Sequence, residues 1–377
     1  MSAAAGRIGG LDGLRALAIA CVLFAHAYAS AGFPQAGWIY QAQRTFSGLF
    51  GVQVFFAISG FIITLLLCRE KEKFGAVSLK HFWLRRALRI LPPVAAYLAV
   101  IQLLPAFGAT AAPPLETQLG SLLFYRNVMP NAPWFTEAQG FTAHFWTLSL
   151  EEQFYIFWPL LVGALSLSWL RRVAWVGVAL ALASRCALTA LPAGAERWLP
   201  LNLDGFMFGA LAAVAVASGA SAAGPGFSGL LRFRWPLLAL ALVLTRLRAS
   251  EWQAWVAPAQ PLAVSAVSAL WIIHVIQHPS GVTARILKSR PLAALGLISY
   301  STYLWQQLFL APAAHWPGGE APWFARFPQN LALALAAGAA GYLLIEMPCQ
   351  WLKNGLGRGK AAHPAPPPLA NVSTSLT

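Results

Sequence analysis

The chain has 377 residues, of which 58% are hydrophobic and only 10% are charged, and its formal net charge is +14 at pH 7. A soluble domain carries about 25% charged residues, so this composition excludes an ordinary soluble protein. Apolar stretches of roughly twenty residues recur along the chain, which predicts an all-α polytopic membrane protein.

These stretches predict a bundle of about ten transmembrane helices within a single domain, residues 1–350. The expected spans are residues 11–31, 46–67, 90–107, 145–168, 173–191, 198–217, 235–249, 255–276, 291–311 and 328–348. The apolar segment 119–128 is too short to cross unaided and is expected to form a partial or interfacial helix. The Pro-rich polar segment 351–377 is predicted to be a disordered cytoplasmic tail.

The basic residues predict the orientation of the bundle. With ten spans, roughly three-quarters of the Lys and Arg residues fall on the side of the N-terminus. Because basic residues concentrate in cytoplasmic loops, both termini are expected to be cytoplasmic. Most of the positive charge then sets topology and faces anionic lipid, so no nucleic-acid partner is expected. The sequence does not indicate an oligomeric state.

The first predicted helix, "GLDGLRALAIACVLFAHAYAS", contains Arg15 and His26. Eleven residues turn an α-helix by about 20° more than three full turns, so the two side chains share one face about 16 Å apart. Such a face offers a cation near the cytoplasm and a base deeper in the membrane, which suits an anionic reactant entering from the cytoplasm. The alternative is a snorkelling arginine and a hydrogen-bonded core histidine.

The segment "KHFWLRRALRILPP" places Arg86 and Arg89 three residues apart, on one helical face at the cytoplasmic end of the third span. Arginine side chains bind phosphate groups with two parallel hydrogen bonds. The alternative is that the pair only anchors the helix at the lipid headgroups.

The fourth span, "AHFWTLSLEEQFYIFWPLL", carries two adjacent carboxylates, Glu151 and Glu152. The helical period places Glu151 on one face with His144 and Tyr155. Charged groups in a membrane usually face a cavity or a partner, and a glutamate can orient a histidine base. The alternative is a structural pair that holds the bundle together.

Two later segments are also polar for a membrane span. "LISYSTYLWQQLF" contains Ser299 and Tyr300 and is expected to face a cavity or the bundle interior. Asp204 is expected to have a structural partner such as Arg197, seven residues earlier. A metal site is not expected, because no compact set of His, Cys and Asp ligands presents itself.

Taken together, these segments resemble the acyltransferase-3 family of integral membrane acyltransferases over residues 8–350. "GLDGLRALAIACVLFAH" is similar to the family's opening, with Arg15, ten intervening residues and His26. "RALR" matches its R-x-x-R pair at Arg86 and Arg89, and "WTLSLEEQFYIFWPLL" matches a segment that maps the retained glutamate to Glu151. "FFAISGFIIT", "SYSTYLW" and the closing "IEMP" also fit.

The chain departs from the family pattern in three places. Many members have a histidine after "YLW", where this chain has Gln306. Many have an arginine shortly before the equivalent of Asp204, where this chain has Asn202. Some members carry a fused extracytoplasmic esterase-like domain. The sequence here ends after the last predicted span, so we expect this chain to act alone or with a separate partner.

The resemblance implies an acyl-CoA-dependent O-acyltransferase in a bacterial inner (plasma) membrane, with the bilayer and acyl-CoA as partners and no metal cofactor. It would move an acyl group, usually acetyl, from cytoplasmic acyl-CoA to a hydroxyl group. Family acceptors include surface polysaccharides, glycolipids and secondary metabolites. Direct transfer and an acyl-histidine intermediate both remain open.

The resemblance also implies roles for eight residues. Arg15, Arg86 and Arg89 would bind the phosphates of the donor. His26 would be the general base or would relay the acyl group, and Glu151 would orient that histidine or position the acceptor. The candidates for hydrogen bonds to the acceptor or the oxyanion are Tyr155, Ser299 and Tyr300.

Two other classes of function remain open. In a transporter or flippase for a polar or lipid-linked molecule, the buried His and Glu would form a proton relay. The chain shows neither an inverted repeat nor paired broken helices, and a transporter has no need of CoA. In a non-catalytic membrane scaffold, the same polar groups would be purely structural.

Overall fold

The computed structural model describes residues 8–107, 113–129, 137–187, 195–219, 229–248, 251–313 and 316–351. The regular structure within these residues is helical and contains no strand, so the all-α prediction is confirmed for them. The predicted tail 351–377 lies outside the described residues from position 352 onward.

The helices that carry the fold follow in chain order, with shorter helical turns between them. They are α1 (Leu11–Tyr28), α2 (Gly48–Phe74), α3 (Leu79–Leu103), α4 (Phe145–Ala164), α5 (Leu167–Cys186), α6 (Leu199–Ala217), α7 (Arg234–Arg248), α8 (Ala259–Gln277), α9 (Arg290–Leu297), α10 (Ser299–Trp305), α11 (Gln307–Leu310) and α12 (Gln329–Gly341). A short π-helical segment, Tyr342–Glu346, continues α12.

The predicted count of about ten spans is not confirmed. Within the described residues, seven helices are long and apolar enough to cross a membrane: Leu11–Tyr28, Gly48–Phe74, Leu79–Ala106, Leu167–Cys186, Leu199–Ala217, Ala259–Gln277 and Gln329–Trp351. The other three predicted spans correspond to helices that are too short or too polar to meet these criteria. Helix α4 carries two glutamates, α7 has only 15 residues, and the span at 291–311 is divided into α9, α10 and α11.

The third predicted span begins earlier than expected, because α3 starts at Leu79 and continues through Pro92 and Pro93. Arg86 and Arg89 therefore lie inside a long helix, and not at its end. Proline is tolerated in a membrane helix when neighbouring side chains satisfy nearby carbonyls. Tyr300 contacts the same turn of α3, because its hydroxyl donates to the Ile90 carbonyl at 3.3 Å.

Helix α2 is the centre of the bundle and packs against α1, α4, α6 and α8. Two glycines allow α2 and α6 to approach closely. A β-carbon on Gly60 would overlap the Phe206 backbone, and one on Gly209 would overlap the Ala57 carbonyl. Small residues at such contacts let membrane helices pack through their backbones.

A buried ion pair joins α5 to α6. Arg185 donates to both carboxylate oxygens of Asp204, at 3.0 and 3.1 Å, and the two side chains are 6% and 0% exposed. The predicted partner, Arg197, instead lies 3.8 Å from Glu196. Helix periodicity could not identify Arg185, because it lies on a different helix and is brought to Asp204 only by packing.

Candidate functional site

Glu151 is the centre of a small hydrogen-bonded group between α2 and α4. Its Oε1 accepts from the Ser59 hydroxyl at 2.9 Å, and its Oε2 accepts from the Tyr155 hydroxyl at 3.3 Å. The Tyr155 hydroxyl also lies 3.0 Å from Ser59 Oγ. Tyr155 is one turn after Glu151 on α4, so the predicted shared face is found. Ser59 comes from α2, which the close helix packing brings within reach.

Arg86 lies directly against this group. Its guanidinium carbon is 4.4 Å from the centroid of the Tyr155 ring, a cation–π distance. The Trp83 indole N–H, one turn earlier on α3, donates to the Tyr155 carbonyl at 3.0 Å. Helix α3 is thus held against α4 by Trp83, and Arg86 is positioned by an aromatic face next to the Glu151 carboxylate.

Arg89 extends the group toward the end of the described chain. Its Nε lies 3.8 Å from Oε1 of Glu346, a carboxylate that is 1% exposed. Glu346 also accepts hydrogen bonds from Ser301 at 2.9 Å and from Gln350 at 3.1 Å. Tyr300 lies within electrostatic range of both Glu346 and Arg89.

Arg15 completes the cationic part of the site from α1. It lies 3.5 Å from Asp12 and within electrostatic range of Arg86, Arg89 and Tyr155. The side chains of Arg15 and Arg89 are 25% and 32% exposed, so both remain partly accessible. Three cations therefore converge from two helices. Their mutual repulsion is offset by nearby carboxylates such as Asp12 and Glu346.

His26 lies in a different neighbourhood. Its half-buried side chain faces Gln306, at the junction of α10 and α11, and interacts electrostatically with His144. The hydrogen bonds of Glu151 go to Ser59 and Tyr155, and a direct contact with His26 is not among those of the described residues. Of the two roles that the resemblance implies for Glu151, orienting His26 and positioning the acceptor, the first would need a contact that is not found among the described residues.

The structure thus brings together six of the eight predicted residues and separates two. The converging group is Arg15, Arg86, Arg89, Glu151, Tyr155 and Tyr300. The two residues outside this group are His26 and Ser299. Ser299 donates to the Gly296 carbonyl at 2.8 Å, within its own helical turn.

Among the residues that the structure describes, no group of three or more His, Cys, Asp or Glu side chains could hold a metal ion.

Sequence reasoning assigned no role to two residues that contact the converging group, Ser59 and Glu346. Glu346 lies in a predicted span, and a carboxylate in a span is by itself a signal of function. A serine in an apolar helix gives no comparable signal, because its hydroxyl can bond within its own helix. Only the packing of α2 on α4 shows that Ser59 bonds to Glu151.

Known proteins resemble this chain over most of its length. The sequence profile of a family described as an acyltransferase domain matches residues 8–347. The chain is 27% identical to the peptidoglycan O-acetyltransferase OatA of Listeria monocytogenes, over 78% of this chain and 48% of that protein. It is 26% identical to the O-acetyltransferase OatA of Staphylococcus aureus (strain NCTC 8325 / PS 47), over 90% of this chain and 56% of that protein.

The chain therefore spans about half the length of these relatives. No solved structure matches it significantly. The family profile covers nearly all of the helical bundle, including each of the converging residues, up to Glu346. The several long apolar helices are those of a multi-pass membrane protein. The chain belongs to the acyltransferase-3 family of acyltransferase domains.

Proposed function

We propose that this protein is a membrane O-acetyltransferase that moves an acetyl group from acetyl-CoA to a hydroxyl group of a carbohydrate or glycolipid. The observation that carries the proposal is the convergence of Arg15, Arg86 and Arg89 beside Glu151. The family membership and the names of the relatives support transfer of an acetyl group to oxygen.

The three arginines are proposed to bind the phosphates of the donor. Arginine binds phosphate through several charge-assisted hydrogen bonds, each of which contributes about 1.5–3 kcal/mol. The side chains of Arg15 and Arg89 are partly exposed, and their internal ion pairs are long, at 3.5 Å and 3.8 Å, so both guanidinium groups can still bind a phosphate. Coenzyme A carries such anionic groups at the end opposite its thioester.

His26 is proposed to act as the general base. In direct transfer, its imidazole takes the proton of the acceptor hydroxyl, and the hydroxyl oxygen bonds to the acyl carbon. The bond from that carbon to sulfur then breaks, and the CoA thiolate leaves and takes up a proton. His26 lies on α1 with Arg15, three turns apart on the same face, so one helix carries both the donor-binding cation and the base.

Glu151 is proposed to act on the donor side of the reaction, because its partners are Ser59, Tyr155 and the neighbouring Arg86. It would hold both Arg86 and the Tyr155 side chain in place on the donor side. Tyr300, which lies near Arg89, would line the same passage.

The acceptor and the topology belong to the same proposal. One relative is named for peptidoglycan, so a cell-envelope carbohydrate is the acceptor class we propose.

We propose an inner-membrane protein in which α4, α7 and the segment α9–α11 also cross the bilayer. Both termini are then cytoplasmic, in agreement with the distribution of basic residues.

The test uses the purified protein in detergent with radiolabelled acetyl-CoA, wild type beside His26→Ala. We expect saturable binding in both proteins and acetyl release only in the wild type. Gel filtration and thermal unfolding would establish that the variant is folded. Full activity in folded His26→Ala would exclude His26 as the base. If neither folded protein binds acetyl-CoA, the donor assignment is wrong and a transporter becomes the better interpretation.

A further inference from the structure

Buried polar atoms without hydrogen-bond partners gather around His26. Among the described residues, they include His26 Nδ1, His144 Nδ1 and both amide atoms of Gln306. Gln306 is 0% exposed and His144 is 2% exposed. A buried polar group left without a partner costs about 1–3 kcal/mol, so such atoms are expected to be satisfied by a polar molecule.

Three parts of the chain bring these atoms together. His26 is near the end of α1, which packs against both α10 and α11. Gln306 joins those two short helices. The His144 Nε2 atom lies 3.1 Å from the Leu304 carbonyl, two residues before Gln306, so His144 is attached to the same segment.

The polar surface that His26 and Gln306 form together is suited to a hydroxyl group. The two side chains interact with each other, and under strict hydrogen-bond geometry His26 Nδ1 and both amide atoms of Gln306 still lack a partner. A hydroxyl both donates and accepts, and an amide carries a donor next to an acceptor. A hydroxyl placed here would donate to the imidazole nitrogen and accept from the Gln306 amide.

This neighbourhood differs in charge from the arginine group. It presents two imidazoles and an amide, and Arg126 acts electrostatically on His144. Neutral hydrogen-bonding groups of this kind suit a polyhydroxy compound. The phosphates of a donor are better satisfied by Arg15, Arg86 and Arg89.

We propose that Gln306 binds the acceptor, a carbohydrate-type hydroxyl compound, by donating a hydrogen bond to the hydroxyl that His26 deprotonates. The inference rests on the proposed function, because it assigns the acceptor side of the same reaction. Gln306 forms and breaks no covalent bond. It holds the hydroxyl oxygen in line with the acyl carbon while the proton moves to His26.

The experiment measures transfer of labelled acetyl from acetyl-CoA to N-acetylated chitotetraose (chitotetraose below), a neutral oligosaccharide, by the full chain in detergent. The variants are Gln306→Leu, which removes both amide groups, and Gln306→His, which keeps a donor and an acceptor. Gln307→Leu is the matched control, because it makes the same change at the next residue, which is also buried. Binding of chitotetraose without acetyl-CoA is measured in parallel by thermal shift.

We expect Gln306→Leu to lower kcat/KM for chitotetraose about tenfold or more, the loss of one buried hydrogen-bond partner, with an unchanged KM for acetyl-CoA. Gln306→His should recover most of this loss, and Gln307→Leu should stay near wild type. The wild-type thermal shift with chitotetraose should disappear in Gln306→Leu.

Several results would overturn the inference and leave the acyl-CoA proposal intact. One is an unchanged kcat/KM for chitotetraose in Gln306→Leu, and another is an equal loss in Gln306→Leu and Gln307→Leu. A wild-type protein that turns over acetyl-CoA but transfers only to water would also overturn it. If chitotetraose binds through Gln306 while acetyl-CoA does not bind at all, the proposed donor fails and the hydroxyl site stands.

Discussion

At the scale of single residues, each arginine of the candidate donor site already has a neighbour in the protein. Arg15 is close to Asp12, Arg86 lies over the Tyr155 ring, and Arg89 is near Glu346. The ion-pair distances are 3.5 Å and 3.8 Å, which leave room for better hydrogen bonds to a ligand. The internal partners therefore keep the cations in place without saturating them.

Replacing Arg86 or Arg89 by lysine tests this arrangement without removing charge. Lysine lacks the planar fork that binds phosphate with two hydrogen bonds, so KM for acetyl-CoA should rise about tenfold, while kcat changes little. Arg85→Lys is the matched control, since Arg85 lies 3.8 Å from Glu70 and its side chain is 42% exposed. Steady-state kinetics in detergent would measure KM for acetyl-CoA and kcat of each variant. Equal KM values in all three variants would make Arg86 and Arg89 membrane anchors only.

Ser59→Ala tests whether the Glu151 group supports the reaction. Loss of a hydrogen bond to a charged carboxylate costs about 1.5–3 kcal/mol, so kcat/KM for acetyl-CoA should fall tenfold or more. Ser149→Ala is the control, because Ser149 is a buried serine of α4 whose hydroxyl donates to the Phe145 carbonyl of its own helix. Activity of Ser59→Ala within twofold of the control would remove the group from the mechanism.

At the scale of helices, backbone contact between α2 and α6 depends on glycine. A β-carbon at Gly209 would overlap the Ala57 carbonyl, so Gly209→Ala should lower stability by about 1–3 kcal/mol. At Gly163 on α4 a new β-carbon would lie 3.9 Å from Val77, an ordinary contact. Gly163→Ala should therefore be neutral or slightly stabilising, because alanine favours the helix. Thermal unfolding in detergent would show the opposite signs, and equal effects would contradict the close approach.

The Arg185–Asp204 pair joins α5 and α6 in the same bundle. Asp204→Ala leaves a buried arginine without its carboxylate, which should cost about 3–5 kcal/mol. The exposed Glu196–Arg197 pair gives the comparison, because Glu196→Ala should cost about 0–1 kcal/mol. Denaturation midpoints of Asp204→Ala and Glu196→Ala, measured side by side, would test this difference in stability. Similar midpoints for the two variants would mean that Arg185 is hydrated in the membrane protein.

At the scale of the whole molecule, the number of spans determines the side on which the chain ends. Seven spans place the two ends of the bundle on opposite sides of the membrane, and ten place them on the same side. The basic residues favour ten spans with cytoplasmic ends.

A green fluorescent reporter fused after Trp351 should therefore fluoresce, since it folds in the cytoplasm. A phosphatase that is active only outside the cytoplasm, fused at the same point, should be inactive. The reverse pattern would support seven spans, with α4, α7 and the segment α9–α11 not crossing.

The sequence by itself determined the helical class, the positions of most helices and the identity of most residues in the candidate site. These features are local, because apolar stretches, charges in spans and residues on one helical face are all read along the chain. Arg15, Arg86, Arg89, Glu151 and Tyr155 were found in this way.

Only the tertiary structure decided which of these residues meet. It paired Asp204 with Arg185, placed Ser59 and Glu346 in the arginine group, and set Gln306 opposite His26. Each of these contacts joins residues on different helices, and helical periodicity says nothing about which helices become neighbours. The choice of neighbours depends on close packing at residues such as Gly60 and Gly209, whose effect appears only when the whole bundle is assembled.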